Sequence, residues 1–489
     1  MSGSGTSITT KAMESAVWKL LQNFGTTLIS FLLQIWLARL LLPTDYGLVA
    51  LTSVFITLSM IVIQTGFTSA LIQKPSLHEH EIYSVHYASI VIAIVIYGIV
   101  YAIAPLVSWF YDEPILIKVL RMQGLVIPIA SLYSVPMSII QRNLQLKKTF
   151  YAGIVGMVGQ GIVGIILALN GFGVWALVYG SLTNAILTCV FIILLSGWKP
   201  KRQFSMGPVR ELLPFSSKIL ATNLLNTLSS NLKPLITGRA YSPELLGYYS
   251  RGYQFPSLIM INVDGAITSV AFPLLSRFQS DYTALTDKLR KSLQTSLYFV
   301  WPAMIGLMVV AETLITLLLT DRWLPSVPFL QLTALECMLW PFSIYIHATN
   351  AIGKSGLSLR LNILSKTFDV LVMAVTIRYG IYVFIASTIL SSLVTTSIII
   401  VIVSRIIGLS LKELASDILP IFIVSVGMGT LVFWIGSCMT SPLIKIVVQV
   451  LVGGGSYLLA TWLLKFPSLV FVFSFLHGKL FPAKSNGLE

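Results

Sequence analysis

Apolar runs long enough to cross about 30 Å of hydrocarbon recur fourteen times along this chain. They fall at 17–42, 47–73, 84–110, 115–141, 150–170, 172–196 and 210–236, then at 245–275, 292–319, 327–351, 357–378, 381–404, 414–436 and 442–464. In lipid every backbone N–H and C=O must be paired within its own segment, so runs of this length predict helices. The pattern predicts an all-α polytopic membrane protein with about fourteen transmembrane helices. The connectors are short. The longest, Gly197–Val209, carries Trp198-Lys199-Pro200-Lys201-Arg202. From Phe466 the tail holds an apolar stretch too short to span easily, which predicts an interfacial helix.

Polar residues, Pro and Gly also repeat, at an offset of 200 residues. Asn23, Thr27, Ser30, Arg39, Pro43 and Gly47 match Asn223, Thr227, Ser230, Arg239, Pro243 and Gly247. Gly66-Phe-Thr-Ser-Ala-Leu is similar to Gly265-Ala-Ile-Thr-Ser-Val, and Gly173-Val-Trp to Gly380-Ile-Tyr. The repeat holds six helices, an even number, so its two copies share one membrane orientation. Parallel repeats are a transporter architecture, with substrate bound where the halves meet. The expected division is a segment 1–16, a six-helix bundle 17–196, a linker 197–209, a second bundle 210–404, two added helices in 405–465 and a tail 466–489.

Composition supports lipid as the main solvent. Of 489 residues 56% are hydrophobic and 10% charged, against about 25% charged in soluble domains. The net charge of +14 is spread in short clusters between apolar runs, which argues against a nucleic-acid surface. Counted by alternate connectors, the Lys and Arg collect on one side, at Lys11, Arg142, Lys147, Lys148, Lys199, Lys201, Arg202, Arg290, Lys291 and Lys412 among others. The positive-inside rule makes that side cytoplasmic and places both termini there. No cleavable signal peptide is read, and Met1–Thr6, rich in Ser and Gly, is left out of the fold argument. Cys189, Cys337 and Cys438 sit singly in apolar runs and read as packing thiols.

Two polar stripes stand out. Lys19, Asn23, Thr27, Ser30 and Gln34 follow at steps of four, four, three and four, on one helical face. Lys218, Thr222, Asn226, Ser230 and Lys233 follow the same rule in the repeat-related helix. A Lys near the bilayer centre costs about 2.5–3.5 kcal/mol on insertion scales, so the stripes predict a hydrated, cationic cavity. The alternative is interhelical glue with lysines that snorkel to the surface.

Arg251, within Tyr248-Tyr-Ser-Arg-Gly-Tyr-Gln-Phe, has two readings. Its guanidinium fork suits a phosphate or diphosphate, with Tyr249 and Tyr253 as platforms for sugar rings; or it belongs to an interfacial aromatic belt. Asp264 and Glu336 are candidate ion-coupling carboxylates, with a neutral or paired carboxyl as the plainer reading. Asp369 reads as an intrahelical partner of Lys366. His86 and His347 read as structural histidines, and no metal site or cofactor is expected. Walker A, dinucleotide, HExxH and GxSxG patterns are all missing from the sequence, which argues against an enzyme. Energy would then come from a proton or sodium gradient, or from the substrate's own gradient.

At Asn23-Phe-Gly-Thr, Leu37-Ala-Arg-Leu-Leu-Leu-Pro-Thr-Asp-Tyr-Gly-Leu-Val-Ala, Gly171-Phe-Gly-Val-Trp-Ala-Leu-Val, Leu246-Gly-Tyr-Tyr-Ser-Arg-Gly-Tyr-Gln-Phe and Trp323-Leu-Pro-Ser-Val-Pro, the chain resembles a known family. It is similar, over about 15–465, to the polysaccharide transporter (Wzx-type flippase) branch of the multidrug/oligosaccharidyl-lipid/polysaccharide exporter superfamily. That resemblance implies a V-shaped pair of six-helix bundles around a cationic cavity, with two further helices at the end. It implies export of undecaprenyl-diphosphate-linked oligosaccharide across a bacterial inner membrane, for capsule, exopolysaccharide or lipopolysaccharide. A polysaccharide polymerase and a chain-length regulator are the implied partners. The cationic cavity carries over to Lys19, Lys218, Lys233 and Arg251, chosen by their own spacing. Two alternatives stay open: a cation-coupled multidrug exporter and a flippase for lipid-linked peptidoglycan precursor.

Overall fold

The computed structural model describes residues 3–65, 71, 78–279 and 281–466, and over them all regular structure is helical. The helices are α1 (Gly3–Leu40), α2 (Pro43–Thr65), α3 (Glu79–Tyr111), α4 (Ile115–Gly124), α5 (Val126–Arg142), α6 (Leu146–Leu169), α7 (Val174–Ser196), α8 (Met206–Ala240) and α9 (Pro243–Arg277). They continue with α10 (Tyr282–Leu318), α11 (Val327–Cys337), α12 (Ile344–Ala351), α13 (Ser355–Thr376), α14 (Ile381–Ile407), α15 (Leu411–Ser437) and α16 (Pro442–Leu463). Short 3₁₀ turns precede α11, α12 and α14.

Among the described residues, ten segments are long and apolar enough to cross a membrane. These account for ten of the fourteen expected spans. Helices do form at the other four expected positions, α1, α8, α9 and α13, with 38, 35, 35 and 22 residues. At 1.5 Å per residue each is long enough to cross, and within α1 the stretch Gly25–Leu40 is apolar. They carry the two stripes, Arg251 with Asp264, and Arg360 with Lys366 and Asp369.

The order of helices shows the sequence repeat in backbone form. α1 and α8 each end three residues before a proline, and Pro43 and Pro243 open α2 and α9, where a missing N–H costs nothing. The fourth span of each copy is broken. α4 stops at Gly124, four residues before Pro128, and α11 stops at Cys337, four before Pro341. A proline ring clashes with the carbonyl four residues back, so each break falls where its proline dictates. The turns before α7 and α14 use Gly173 at φ 53° and Gly380 at φ 92°, a region that only glycine enters cheaply.

Packing groups the chain into two units, Met1–Ser250 and Arg251–Glu489. In the first, α6 and α7 form the most extensive pair, and α1 lies along α6. Small residues on α6 allow this. A Cβ on Gly156 would lie 2.3 Å from Thr188 Oγ1, and one on Gly161 would lie 2.2 Å from Leu33 Cδ2. Close approach at glycine is how helices gain contact where water exclusion gives little help.

The starts of α2 and α9 also meet inside this unit, backbone against backbone. A Cβ on Gly47 would sit 1.7 Å from the Pro243 carbonyl oxygen, and one on Gly247 would sit 2.0 Å from that of Pro43. These four residues are the repeat's own equivalents, so the contact is reciprocal. The linker is held as well. Trp198 packs its ring edge-on to buried His86 at 4.9 Å and stacks near Tyr83 at 5.8 Å. The Ser205 N–H donates to Ser84 Oγ at 2.9 Å, and Lys201 reaches Glu79 at 3.1 Å. The Glu79 hydrogen bond holds the Lys201 ammonium above its ordinary pKa. Replacing Trp198 by alanine should free this linker. The expected readout is several-fold faster tryptic cleavage at Lys201 or Arg202; an unchanged rate would mean that the ring does not hold it.

In the second unit, α15 and α16 dock on α10. Arg290 forks onto Asp417 at 2.6 and 3.0 Å and reaches Glu413 at 2.8 Å. The Tyr457 hydroxyl donates to the Tyr298 carbonyl at 2.9 Å, in a buried cluster with Thr461. The three cysteines are free, with Cys189 and Cys337 buried and Cys438 exposed.

Candidate functional site

The side chains of Lys19, Asn23, Lys218, Thr222 and Asp264 lie outside the described residues. Along the rest of the first stripe, Thr27, Ser30 and Gln34 are half-buried, and Gln34 Nε2 donates to Ser30 Oγ at 3.2 Å. On α8, Asn226 and Ser230 are exposed and Lys233 is half-buried. Ser230 donates to the Thr227 carbonyl at 2.9 Å, one turn back. Exposed amides and hydroxyls on a helix of membrane-spanning length face lipid only at a cost, and water without one.

Arg251 is buried, 9% exposed, and its guanidinium donates to Gln254 Oε1 on the next turn of α9. Tyr249 is buried and Tyr253 lies at the surface. Gly252 lets this turn seat on α11, for a Cβ there would lie 2.7 Å from the Leu330 nitrogen. Glu336 is half-buried on α11. The Lys366–Asp369 pair does not form. Lys366 is exposed, and Asp369 instead accepts a hydrogen bond from Ser391 of α14, because helix α14 packs directly against α13 and presents a hydroxyl there.

The structure adds a feature that the stripes did not announce. Inside the first unit a cavity of about 470 Å³ opens between α1, α2, α5, α6 and α7, lined among others by Gln22, Gln64, Tyr133, Gln141, Asn184 and Thr188. Among the described residues, its lining contains no Asp, Glu, Lys, Arg or His. Thr149 donates to Gln22 Oε1 at 3.0 Å, Asn184 Nδ2 to Gln160 Oε1 at 2.8 Å, and Thr188 to Asn184 Oδ1 at 3.1 Å. Gln22 and Thr26 precede Asn23 and Thr27 by one residue, about 100° around the helix. α1 therefore has two polar faces, and the cavity uses the one beside the stripe. The sequence signal was there: Gln160, Asn184 and Thr188 interrupt apolar runs, next to the glycines of α6.

The sequence model of a family described as “Polysaccharide biosynthesis protein” matches residues 36–328, more than half the chain. The chain belongs to that family. Among curated relatives it is 25% identical over 340 residues to the succinoglycan biosynthesis transport protein ExoT of Rhizobium meliloti (strain 1021), covering 69% of each chain. It is 24% identical over 348 residues to the lipopolysaccharide biosynthesis protein WzxC of Escherichia coli (strain K12), covering 68% of each. The teichuronic acid biosynthesis protein TuaB of Bacillus subtilis (strain 168) is 22% identical over 338 residues, covering 68% of this chain and 69% of TuaB.

Among solved structures, the lipid II flippase MurJ in an inward closed conformation superposes with a TM-score of 0.73 at 16% identity, over 92% of this chain and 98% of that one. An inward-facing multidrug transporter of the multidrug and toxin extrusion type gives 0.63 at 15%, over 78% and 94%. These likenesses establish the fold. The protein is a multi-pass membrane transporter of that polysaccharide biosynthesis family, and not an enzyme.

Proposed function

We propose that this protein is a flippase that carries polyprenyl-diphosphate-linked oligosaccharide from the cytoplasmic to the outer leaflet of a bacterial inner membrane. The observation that carries the reading is where polarity has been concentrated. In a family of polysaccharide biosynthesis proteins, three helices of membrane-spanning length, α1, α8 and α9, hold Lys19, Lys218, Lys233 and Arg251. Cations in a low-dielectric setting attract a diphosphate strongly, and a guanidinium can fork onto its oxygens. The polyprenyl tail remains in lipid while the polar head crosses.

In this reading the protein, with its six-helix repeats at 17–196 and 210–404, works by alternating access. Both termini are cytoplasmic, by the distribution of Lys and Arg. Asp264 and Glu336 are the carboxylates proposed to couple a proton or sodium gradient to the cycle. A polymerase and a chain-length regulator would take up the product. The sugars named for ExoT, WzxC and TuaB support a polysaccharide precursor over a drug. A drug cation would also call for acidic stripes, whereas these carry lysine.

The test is translocation of a fluorescent polyprenyl-diphosphate oligosaccharide in liposomes, read by protection from an impermeant quencher. Wild type should protect the label, and Lys19→Ala, Lys218→Ala, Lys233→Ala or Arg251→Ala should slow this by about tenfold for each phosphate ligand lost. Translocation unchanged in all four would remove the site assignment. Extrusion of a cationic dye with no lipid transport would remove the flippase.

A further inference from the structure

The cavity inside Met1–Ser250 has a wall chemistry that selects its occupant. Gln64 and Gln141 make no side-chain hydrogen bond to any described residue, yet both line it. A primary amide offers two donors and two acceptor lone pairs, so both capacities stand open at both positions. Gln22 Oε1 accepts one bond from Thr149, while Asn184 gives one to Gln160 and takes one from Thr188. The remaining wall includes the Tyr133 ring and Met137.

Each ligand class meets this wall differently. Among the described residues of the lining, an anion finds no cation and a cation finds no carboxylate. A hydrocarbon would bury amides without partners, at a cost of about 1–3 kcal/mol each. A neutral ring bearing hydroxyls offers donors and acceptors together and has an apolar face for Tyr133. A volume of about 470 Å³ suits a ligand of roughly one or two hexose rings, within the usual range of small-molecule pockets.

We propose that this cavity is a subsite for a neutral sugar of the transported glycan. It rests on the flippase reading and deepens it. The site favours hexoses, deoxyhexoses and N-acetylated sugars over hexuronic acids, whose carboxylate would find no counter-charge among the described residues of the wall.

Because Gln64 and Gln141 spend no side-chain bonds on the protein, Gln64→Met with Gln141→Met keeps volume and removes only the open amides. The experiment measures binding of three ligands to wild type and to this double variant in nanodiscs. They are polyprenyl diphosphate without sugar, the same lipid with a neutral disaccharide, and the same with a hexuronate-containing disaccharide. Wild type is expected to bind the neutral glycolipid about tenfold more tightly than the other two. The double variant should lose that preference and bind the sugar-free lipid within about twofold of wild type. A thermal melt of the double variant matching wild type would exclude a folding defect as the cause. A neutral-sugar preference that survives the double change overturns the subsite and leaves the flippase standing, with the cavity holding water alone. Equal binding of neutral and acidic glycolipids by wild type overturns it too. If wild type binds none of the three lipids, the flippase reading fails and the subsite fails with it.

Discussion

Valine at Gly47 is expected to cost this protein about 3 kcal/mol or more, the upper end of what overpacking usually does. Even the first added carbon would lie 1.7 Å from the Pro243 carbonyl oxygen, where ordinary contact begins at 3.4 Å. The obstructing atom is backbone, so no rotamer can move it aside, and α2 and α9 would have to separate. Gly247→Val should do the same, because its Cβ meets the Pro43 carbonyl at 2.0 Å. Gly98→Ala is the control. It lies in α3 with nothing within 4 Å, and alanine there should be neutral or stabilising by up to about 1 kcal/mol. The measurement is the thermal midpoint and monodispersity in detergent. If Gly47→Val melts with wild type, the reciprocal contact is not part of the stable fold. If only one of the two valines destabilises, the contact is not reciprocal.

The second large effect belongs to Arg290. Replacing it by methionine keeps an apolar stem of similar length and removes the fork to Asp417 and the contact to Glu413. Asp417 is only 13% exposed, so its carboxylate would be left largely desolvated without a partner. Losing one member of a fully buried pair costs about 3–5 kcal/mol. Arg290 is 30% exposed, and returning water reduces the expected loss to about 2–3 kcal/mol. Replacing both partners, Arg290→Met with Asp417→Leu, should recover most of it, since no charge is then stranded. A thermal-melt cycle of wild type, both single variants and the double variant checks this. A single change within about 0.5 kcal/mol of wild type would mean that the pair is an ordinary surface bridge and that α15 is held by its apolar contacts.

These two predictions rest on contacts that the sequence showed unequally. Gly47 and Gly247 were legible as a repeated pair, because Pro and Gly in one register at an offset of 200 are hard to produce by chance in apolar sequence. Their mutual contact was not legible, because a repeat says which residues are equivalent and not which ones touch. Arg290 and Asp417 lie 127 residues apart with no shared motif; in the sequence Arg290 was one basic residue among several on one side. The helix breaks at Gly124 and Cys337 could have been read from Pro128 and Pro341, since the proline clash is local.

The candidate site divides in the same way. The stripe on α1 was found from the 3.6-residue period, while the neighbouring face with Gln22 and Thr26 was passed over. A polar residue one position away looks like noise until five helices enclose it. Asp369 was given to Lys366 by spacing, yet a hydroxyl from the adjacent helix α14 takes that place.

By itself the sequence determined that this is an all-helical membrane protein, that it is built from a six-helix repeat, and that its polarity is concentrated in a few helices. Those properties follow from transfer free energy and backbone hydrogen bonding, which act on each segment where it stands. Only the tertiary structure decided which polar face encloses a cavity, which glycines carry a backbone crossing and which charges meet. Those depend on side chains brought together from helices far apart in the chain, where the burial of each group is set by its neighbours in space.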